Sequence, residues 1–271
     1  MHLAKHHGLG NDFLIALDET NPVPIEAGPE LARALCDRRR GVGADGFIHG
    51  ARVGGPEADV VMHLWNADGS RAETSGNGIR CLAQAVARAR GLASLDVIAD
   101  TDAGRRHLHV APGPSPARSS VRVDMGEVRP GPDLPEVLPL VTEAVTTADI
   151  GNPHVVAWVA DVEALDLAAV GPAVEGQFPA GINLEIIAPV GPDAIVLRVW
   201  ERGAGITEAC GSGACVAAHH AHQWGLVGDR VRVGMPGGEV VVDLYDGRAV
   251  LTGEAVHVAD LEIDPGEVLG G

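Results

Sequence analysis

Three observations predict an α+β fold of two pseudo-symmetric domains, each a strand-rich unit wrapped round a central helix, with the active site in the inter-domain cleft. The first is a motif that occurs twice, 135 positions apart: Trp65-Asn-Ala-Asp-Gly-Ser-Arg-Ala-Glu-Thr-Ser75-Gly-Asn-Gly78 and Trp200-Glu-Arg-Gly-Ala-Gly-Ile-Thr-Glu-Ala-Cys210-Gly-Ser-Gly213. Trp65 falls on Trp200, Glu73 on Glu208, Ser75 on Cys210, Gly76 on Gly211 and Gly78 on Gly213. The second is that each copy opens directly into an alanine-rich, helix-forming stretch. The third is that most of the remaining chain reads as short strands punctuated by Gly and Pro.

In chain order, β-rich or alternating runs predict strands at 59–65, 120–124, 194–200, 229–233 and 239–243. The two central helices are expected at 76–90, stopped by Gly91, and at 211–224, stopped by Gly225. Shorter helices are expected over 29–39 and 162–175. The segment Ala111-Pro-Gly-Pro-Ser-Pro-Ala117 is the clearest linker candidate. It divides the chain into 1–114, with the tail 258–271 returning to it, and 115–257. A weaker correspondence supports duplication: Gly10-Asn11-Asp12-Phe13 parallels Gly151-Asn152-Pro153-His154 at an offset of 141.

Composition narrows the function. At 271 residues and 46% hydrophobic content the chain can fill two medium cores, and with only 3% aromatic residues Val, Leu, Ile and Ala must pack them. A formal net charge of −17 argues against nucleic acid or an anionic membrane as the main partner. Lys5 is the one lysine against 19 arginines, and nothing around it suits a Schiff base, so α-proton chemistry here is expected to run without pyridoxal phosphate. Cys36, Cys81, Cys210 and Cys215 form no Cys-x-x-Cys pair, and no apolar run reaches the roughly 18 residues that span a bilayer. A cytoplasmic protein with reduced thiols and no metal is the expectation.

The repeated loops carry the chemistry. Cys210-Gly211-Ser212-Gly213 places a thiol before glycines that let an anion approach the backbone. The helix that follows points free N–H groups and its positive end at the same spot. The same field is expected to lower the pKa of Cys210. Ser75-Gly76-Asn77-Gly78 supplies the equivalent arrangement from the other half. Two such loops could remove a proton from one face of a carbon and return one to the other, while the helix ends stabilise the charge that forms.

Together the strings His7-Gly-Leu-Gly-Asn-Asp-Phe13, Gly41-Val-Gly-Ala-Asp-Gly46, Asn66-Ala-Asp-Gly-Ser70, Gly151-Asn-Pro-His154, Glu201-Arg-Gly-Ala-Gly205 and Ala209-Cys-Gly-Ser-Gly-Ala214 resemble the diaminopimelate epimerases. The resemblance implies a cofactor-independent isomerase interconverting LL- and meso-diaminopimelate, an amino-acid substrate, for lysine and cell-wall synthesis; a homodimer is the expected assembly. It implies Cys210 and the Ser75 position as opposed proton carriers. Gly76, Asn77, Gly211 and Ser212 would hold the α-carboxylate at the reacting centre, and His154 would lie beside it. Asn11, Asn66, Asn152, Asn183, Glu201 and Arg202 would read the remaining polar groups. The chemistry agrees: Arg202 suits a carboxylate, Glu201 an ammonium, and asparagines either.

The family pattern has cysteine where this chain has Ser75. A hydroxyl can donate a proton, but an alkoxide is far more basic than a thiolate and needs a partner base to form. Three readings stay open at this level. The pocket activates Ser75 in a working epimerase; the chain is a relative acting on another amino acid, or a one-base dehydratase; or Ser75 marks an impaired or altered form of a Cys/Cys enzyme. A non-enzymatic amino-acid binder is a fourth and weaker reading. Asn77 between the glycines argues against the proline racemase type, which carries histidine there. Cys36, Cys81 and Cys215 read as core residues, and His219, His220 and His222 as a packed or solvated helix face.

Overall fold

The computed structural model describes residues 1–53, 57–72 and 75–269. The chain forms two compact units, one of Met1–Val123 with the chain from Gly253 onward, the other of Asp124–Thr252.

The first unit begins with β1 (His2–Gly8) and β2 (Asn11–Leu17), then α1 (Pro29–Cys36), β3 (Gly46–Ala51), β4 (Val60–Asn66), the short β5 (Arg71–Ala72) and the central helix α2 (Gly76–Ala89). β6 (Leu95–Thr101), β7 (Gly104–Pro112) and β8 (Arg118–Glu127) follow. β1 and β2 are antiparallel, β2 and β3 parallel, β3 and β4 antiparallel, and β6 pairs parallel with β4. After the two-residue β9 (Arg129–Pro130), the second unit runs β10 (Ala144–Asp149), β11 (Pro153–Trp158), α3 (Leu167–Glu175), β12 (Asn183–Gly191), β13 (Ala194–Glu201), β14 (Gly205–Thr207) and the central helix α4 (Gly211–Gln223). It ends with β15 (Arg230–Met235), β16 (Gly238–Tyr245) and the long β17 (Arg248–Glu262), whose far end pairs with β1. Its pairings repeat those of the first unit: β10–β11 antiparallel, β11–β12 parallel, β12–β13 antiparallel, and β15 parallel with β13. A short C-terminal helix, α5 (Pro265–Leu269), packs on α1.

The duplication holds in register. Phe13 pairs with Gly46 and Phe47 with Trp65; at the matching places His154 pairs with Asn183 and Leu184 with Trp200. Each repeated motif is a strand, a tight return and a helix, with Trp65 opposite Arg71 and Trp200 opposite Ile206. Both central helices also end alike. Gly91 (φ 67°) and Gly225 (φ 73°) adopt the left-handed conformation, and Leu92 and Leu226 return their N–H groups to Ala87 and Ala221. This is the glycine-terminated helix stop, which side chains with a Cβ adopt only under strain. Both helices are almost wholly buried, which their alanine content permits.

The structure revises three sequence expectations. The Pro-rich segment 111–117 is the turn of the β7–β8 hairpin, with Ala111 and Pro112 still paired to Ser120 and Ser119, and the division between units falls inside β8. Proline there ends a strand pairing and starts a turn. Helix α1 stops at Cys36 because Asp37 leaves the helical region and uses its carboxylate to bind the N–H groups of Arg39 and Arg40. Helix α3 starts only at Leu167, where Asp166 caps it by accepting from the N–H of Ala169.

Candidate active site

Ser75 and Cys210 are the N-cap residues of α2 and α4, both in extended backbone conformation. Gly78 N–H donates to Ser75 Oγ at 3.0 Å, and Gly213 N–H donates to Cys210 Sγ at 3.4 Å. Each of the two side chains therefore lies at the N-terminus of its helix, bonded to one of the first-turn N–H groups. The matched Glu73 lies outside the described residues.

In the second unit the expected residues form one connected cluster. Cys210 Sγ lies 3.5 Å from Ser212 Oγ, and Asn152 Nδ2 donates to Ser212 Oγ at 3.4 Å. Asn152 Oδ1 is 2.9 Å from His154 Nε2, and His154 Nδ1 is 2.7 Å from Glu185 Oε1. Asn183 donates to the carbonyl of Pro153 and accepts from the backbone N–H of Arg202, which ties β12 to the end of β13. Thr207 donates to Glu201, whose carboxyl faces the thiol of Cys210. Gly211 opens α4, and both it and Ser212 are buried.

In the first unit Asn77 Nδ2 donates to Asn11 Oδ1 at 3.2 Å, and Asn11 Nδ2 donates to Asp45 at 2.9 Å. Arg80, fully buried, donates to Asn77 Oδ1 at 2.8 Å and to the carbonyl of Gly76 at 2.9 Å. Asn66 stands apart from this cluster in its bonding: it is exposed at the end of β4 and donates to Ser70.

The thiol of Cys210 departs from the expected field effect. Burial raises its pKa well above the usual range, and the carboxylates of Glu201 and Glu185 raise it further. The hydrogen bonds from Ser212 and Gly213 oppose this without overcoming it. A helix N-terminus lowers a thiol's pKa where solvent still reaches it; a dry site with two acids nearby reverses the sign. Glu201 is itself pushed up, first by burial and then by Glu185, against the hydrogen bond from Thr207. Burial also takes Cys36 and Cys81 up to about 12, as for inert core thiols.

Sequence reasoning missed Glu185 and Arg80. Each had a signal: an acid inside the apolar run Asn183-Leu-Glu-Ile-Ile-Ala188, and an arginine among the small residues of a buried helix. His219, His220 and His222 bond to Gln223 and to the carbonyls after α4, and no group of His, Cys, Asp or Glu among the described residues is arranged to hold a metal. No helix among them is long and apolar enough to cross a membrane.

The family model for diaminopimelate epimerase matches residues 3–130 and 146–258. A diaminopimelate epimerase of Rhizorhabdus wittichii is 39% identical over 274 residues, covering 96% of this chain and 94% of its own. One from Pelotomaculum thermopropionicum is 40% identical over 277 residues, covering 95% and 97%. Among solved structures, a hydroxyproline epimerase from Agrobacterium vitis shares the fold with a TM-score of 0.71 at 16% identity, over 96% of this chain and 91% of its own. The chain belongs to the diaminopimelate epimerase family.

Proposed function

We propose that this chain interconverts LL- and meso-2,6-diaminopimelate, an isomerisation serving lysine and cell-wall precursor synthesis, by moving the α-proton without a cofactor. Cys210 and Ser75 act as the proton carriers, one from each unit. The observation that carries this reading is the duplicated cap: a small side chain bearing an O–H or S–H, fixed by the N–H three residues on, at the start of a buried helix, in both units. Helix N-termini at Gly76 and Gly211 stabilise the carboxylate and the negative charge that builds on the α-carbon as the proton leaves. The hydroxyl of Ser75 accepts from Gly78 and keeps its own hydrogen to donate. Asn11 and Asn77 of the first unit, with Asn152, Asn183, Glu201 and Arg202 of the second, supply donors and acceptors for a substrate with an ammonium and a carboxylate at each end.

One observation favours a second reading, in which the chain binds diaminopimelate with little turnover. Among the described residues, Ser75 Oγ has no carboxylate or imidazole bonded to it that would take its proton. The two readings separate on incubation of LL-diaminopimelate with the protein under reducing conditions, followed by chiral resolution of the products. The epimerase reading expects meso product to accumulate toward equilibrium. Saturable binding without meso product would support the second reading, and neither binding nor product would overturn both.

A further inference from the structure

We propose that Glu175 is a positioning residue for Arg202: it fastens the turn that follows β13 to the end of α3 and, with Gly181, fixes the course of the arginine stem, so that the second unit selects an amino acid carrying a carboxylate at its far end. The inference rests on the reading of Arg202 as the group that meets that distal carboxylate.

Arg202 stands in the tight return between β13 and β14. Ala204 N–H closes the turn by donating to the carbonyl of Glu201 at 3.1 Å, and Gly203 (φ 74°) and Gly205 (φ 84°) supply its left-handed corners. Side chains from outside the turn hold it. Asn183 Oδ1 accepts from the N–H of Arg202 at 2.9 Å, and Glu175 Oε1 accepts from the N–H of Gly203 at 3.3 Å. The other oxygen of Glu175 accepts from the indole Nε1–H of Trp200 at 2.6 Å. Both donors to Glu175 are N–H groups with no lone pair to offer, so the direction of each bond is fixed. One carboxyl therefore spans Glu201 and Arg202, holding the residue before them and the residue after.

The helix is built to reach this turn. Gly171 and Glu175 are one helical turn apart on α3 and share a face. A Cβ on Gly171 would stand 2.3 Å from the indole of Trp200, so the helix backbone lies directly on the ring while Glu175 takes its polar edge. The chain then leaves α3 and passes Gly181 (φ 68°), where an added Cβ would lie 2.9 Å from Arg202 Cγ, 3.0 Å from Arg202 Cδ and 3.1 Å from Glu175 Oε1. The stem of Arg202 thus runs through a notch that glycine leaves open, beside the carboxyl that holds its backbone. An arginine loses much rotamer freedom when it binds, and ordering its stem beforehand removes part of that cost.

The first unit shows that gripping this turn belongs to the architecture, whereas the acid belongs to the second unit. Asp68 and Gly203 are equivalent positions of the repeat. α1 packs on β3 and β4 as α3 packs on β12 and β13. From α1, Arg33 Nη1 donates to the carbonyl of Asp68 at 3.3 Å, and a Cβ on Gly69 would meet the same guanidinium at 2.5 Å. The grip there is a cation on a carbonyl; in the second unit it is an acid on an N–H. The residue that the turn carries differs in step: Ala67 in the first unit and Arg202 in the second. A cation in the second grip would repel Arg202, and an apolar residue would leave the N–H groups of Trp200 and Gly203 without this acceptor. An acid avoids both.

LL-diaminopimelate and L-lysine differ only by the distal carboxylate, and lysine keeps the distal ammonium. The ratio of their dissociation constants therefore reads recognition of that carboxylate. Isothermal titration calorimetry compares the unaltered protein with Arg202→Met, Glu175→Ala, Glu175→Gln and Gly181→Ala. The unaltered protein is expected to prefer LL-diaminopimelate by at least about tenfold, the size of one charge-assisted contact, and Arg202→Met to abolish the preference. Glu175→Ala and Gly181→Ala should each cut the preference at least about threefold with the Kd for lysine held within about twofold, and Glu175→Gln, which keeps one accepting oxygen, should fall between. In turnover, KM for diaminopimelate should rise with Kd while kcat changes by less than about threefold, the pattern of lost ground-state binding. A folded Glu175→Ala protein with an unchanged preference overturns the proposal, and so does one that loses both ligands in proportion, which is general loosening of the site. If Glu175→Ala fails to fold, Glu175→Gln decides on the same terms. Failure of the underlying reading looks different: Arg202→Met then keeps the preference, or the unaltered protein shows none, and the proposal falls with it.

Discussion

Ser75 Oγ receives the N–H of Gly78 at 3.0 Å in the same cap position where Cys210 Sγ receives that of Gly213 at 3.4 Å. The oxygen makes the shorter bond and is the better helix cap, whereas sulfur gives the more readily ionised carrier. Ser75→Cys is expected to keep the fold and to raise the rate of α-proton exchange by on the order of 10²-fold, the low end of what a positioned acid–base group contributes. Ser75→Ala removes the cap and should cost about 1 kcal/mol of stability. Exchange measured by NMR and unfolding in urea check the two halves of this statement. An exchange rate unchanged in Ser75→Cys would show that the side chain at this position does not limit proton transfer.

Gly213 and Gly78 are equivalent glycines with different neighbours. An added Cβ on Gly213 meets Glu185 Oε1 at 2.5 Å, while one on Gly78 meets Ile48 Cδ1 and the Cβ and Oγ of Ser75, all at 3.2 Å. Gly213→Ala should therefore destabilise by about 1–3 kcal/mol, the usual cost of overpacking. Gly78→Ala should cost clearly less, because the tip of an isoleucine yields more easily than a carboxyl held by a histidine. Denaturant midpoints of the two variants test this, and equal losses would contradict the packing described for Glu185.

The pH dependence of stability follows from two buried histidines. Burial takes His6 down to about 3 despite the hydrogen bond that its Nδ1 donates to Gln84 Oε1, and burial with the neighbouring His219 takes His220 down to about 4. Both stay neutral in the folded state where the unfolded chain already binds a proton. Stability is therefore fully present above about pH 6.5 and is lost as pH falls toward 4 and then 3, by up to about 1.4 kcal/mol per pH unit for each group. Urea unfolding at about pH 7.5 and about pH 5 should show the decline, and His6→Gln should flatten it. A stability that is flat between these values would contradict the burial assigned to both rings.

The repeated motif made the two central helices legible because caps and glycine stops are local: residues 75–78 and 210–213 fix where each helix begins, and Gly91 and Gly225 fix where it ends. The strands at 59–65 and 194–200 were equally plain from their apolar runs. What stayed hidden was set by tertiary contact. The strands β10, β11 and β12 are separated by turns and a helix, so nothing local announces that His154 and Glu185 will meet. Burial, which reverses the expected effect on Cys210, depends on the strands packed against α4 and not on the motif. The segment 111–117 carried the composition of a linker, but proline-rich composition marks a turn as readily as a boundary.

The central claim is that an α-proton passes through Cys210 and Ser75. Its most direct test is deuterium incorporation at the α-carbon of LL- and meso-diaminopimelate in heavy water under reducing conditions, with Cys210→Ser alongside. The account predicts that product of the opposite configuration carries solvent deuterium and that Cys210→Ser abolishes the exchange. Exchange undiminished in Cys210→Ser, or inversion without solvent deuterium in the product, would contradict it.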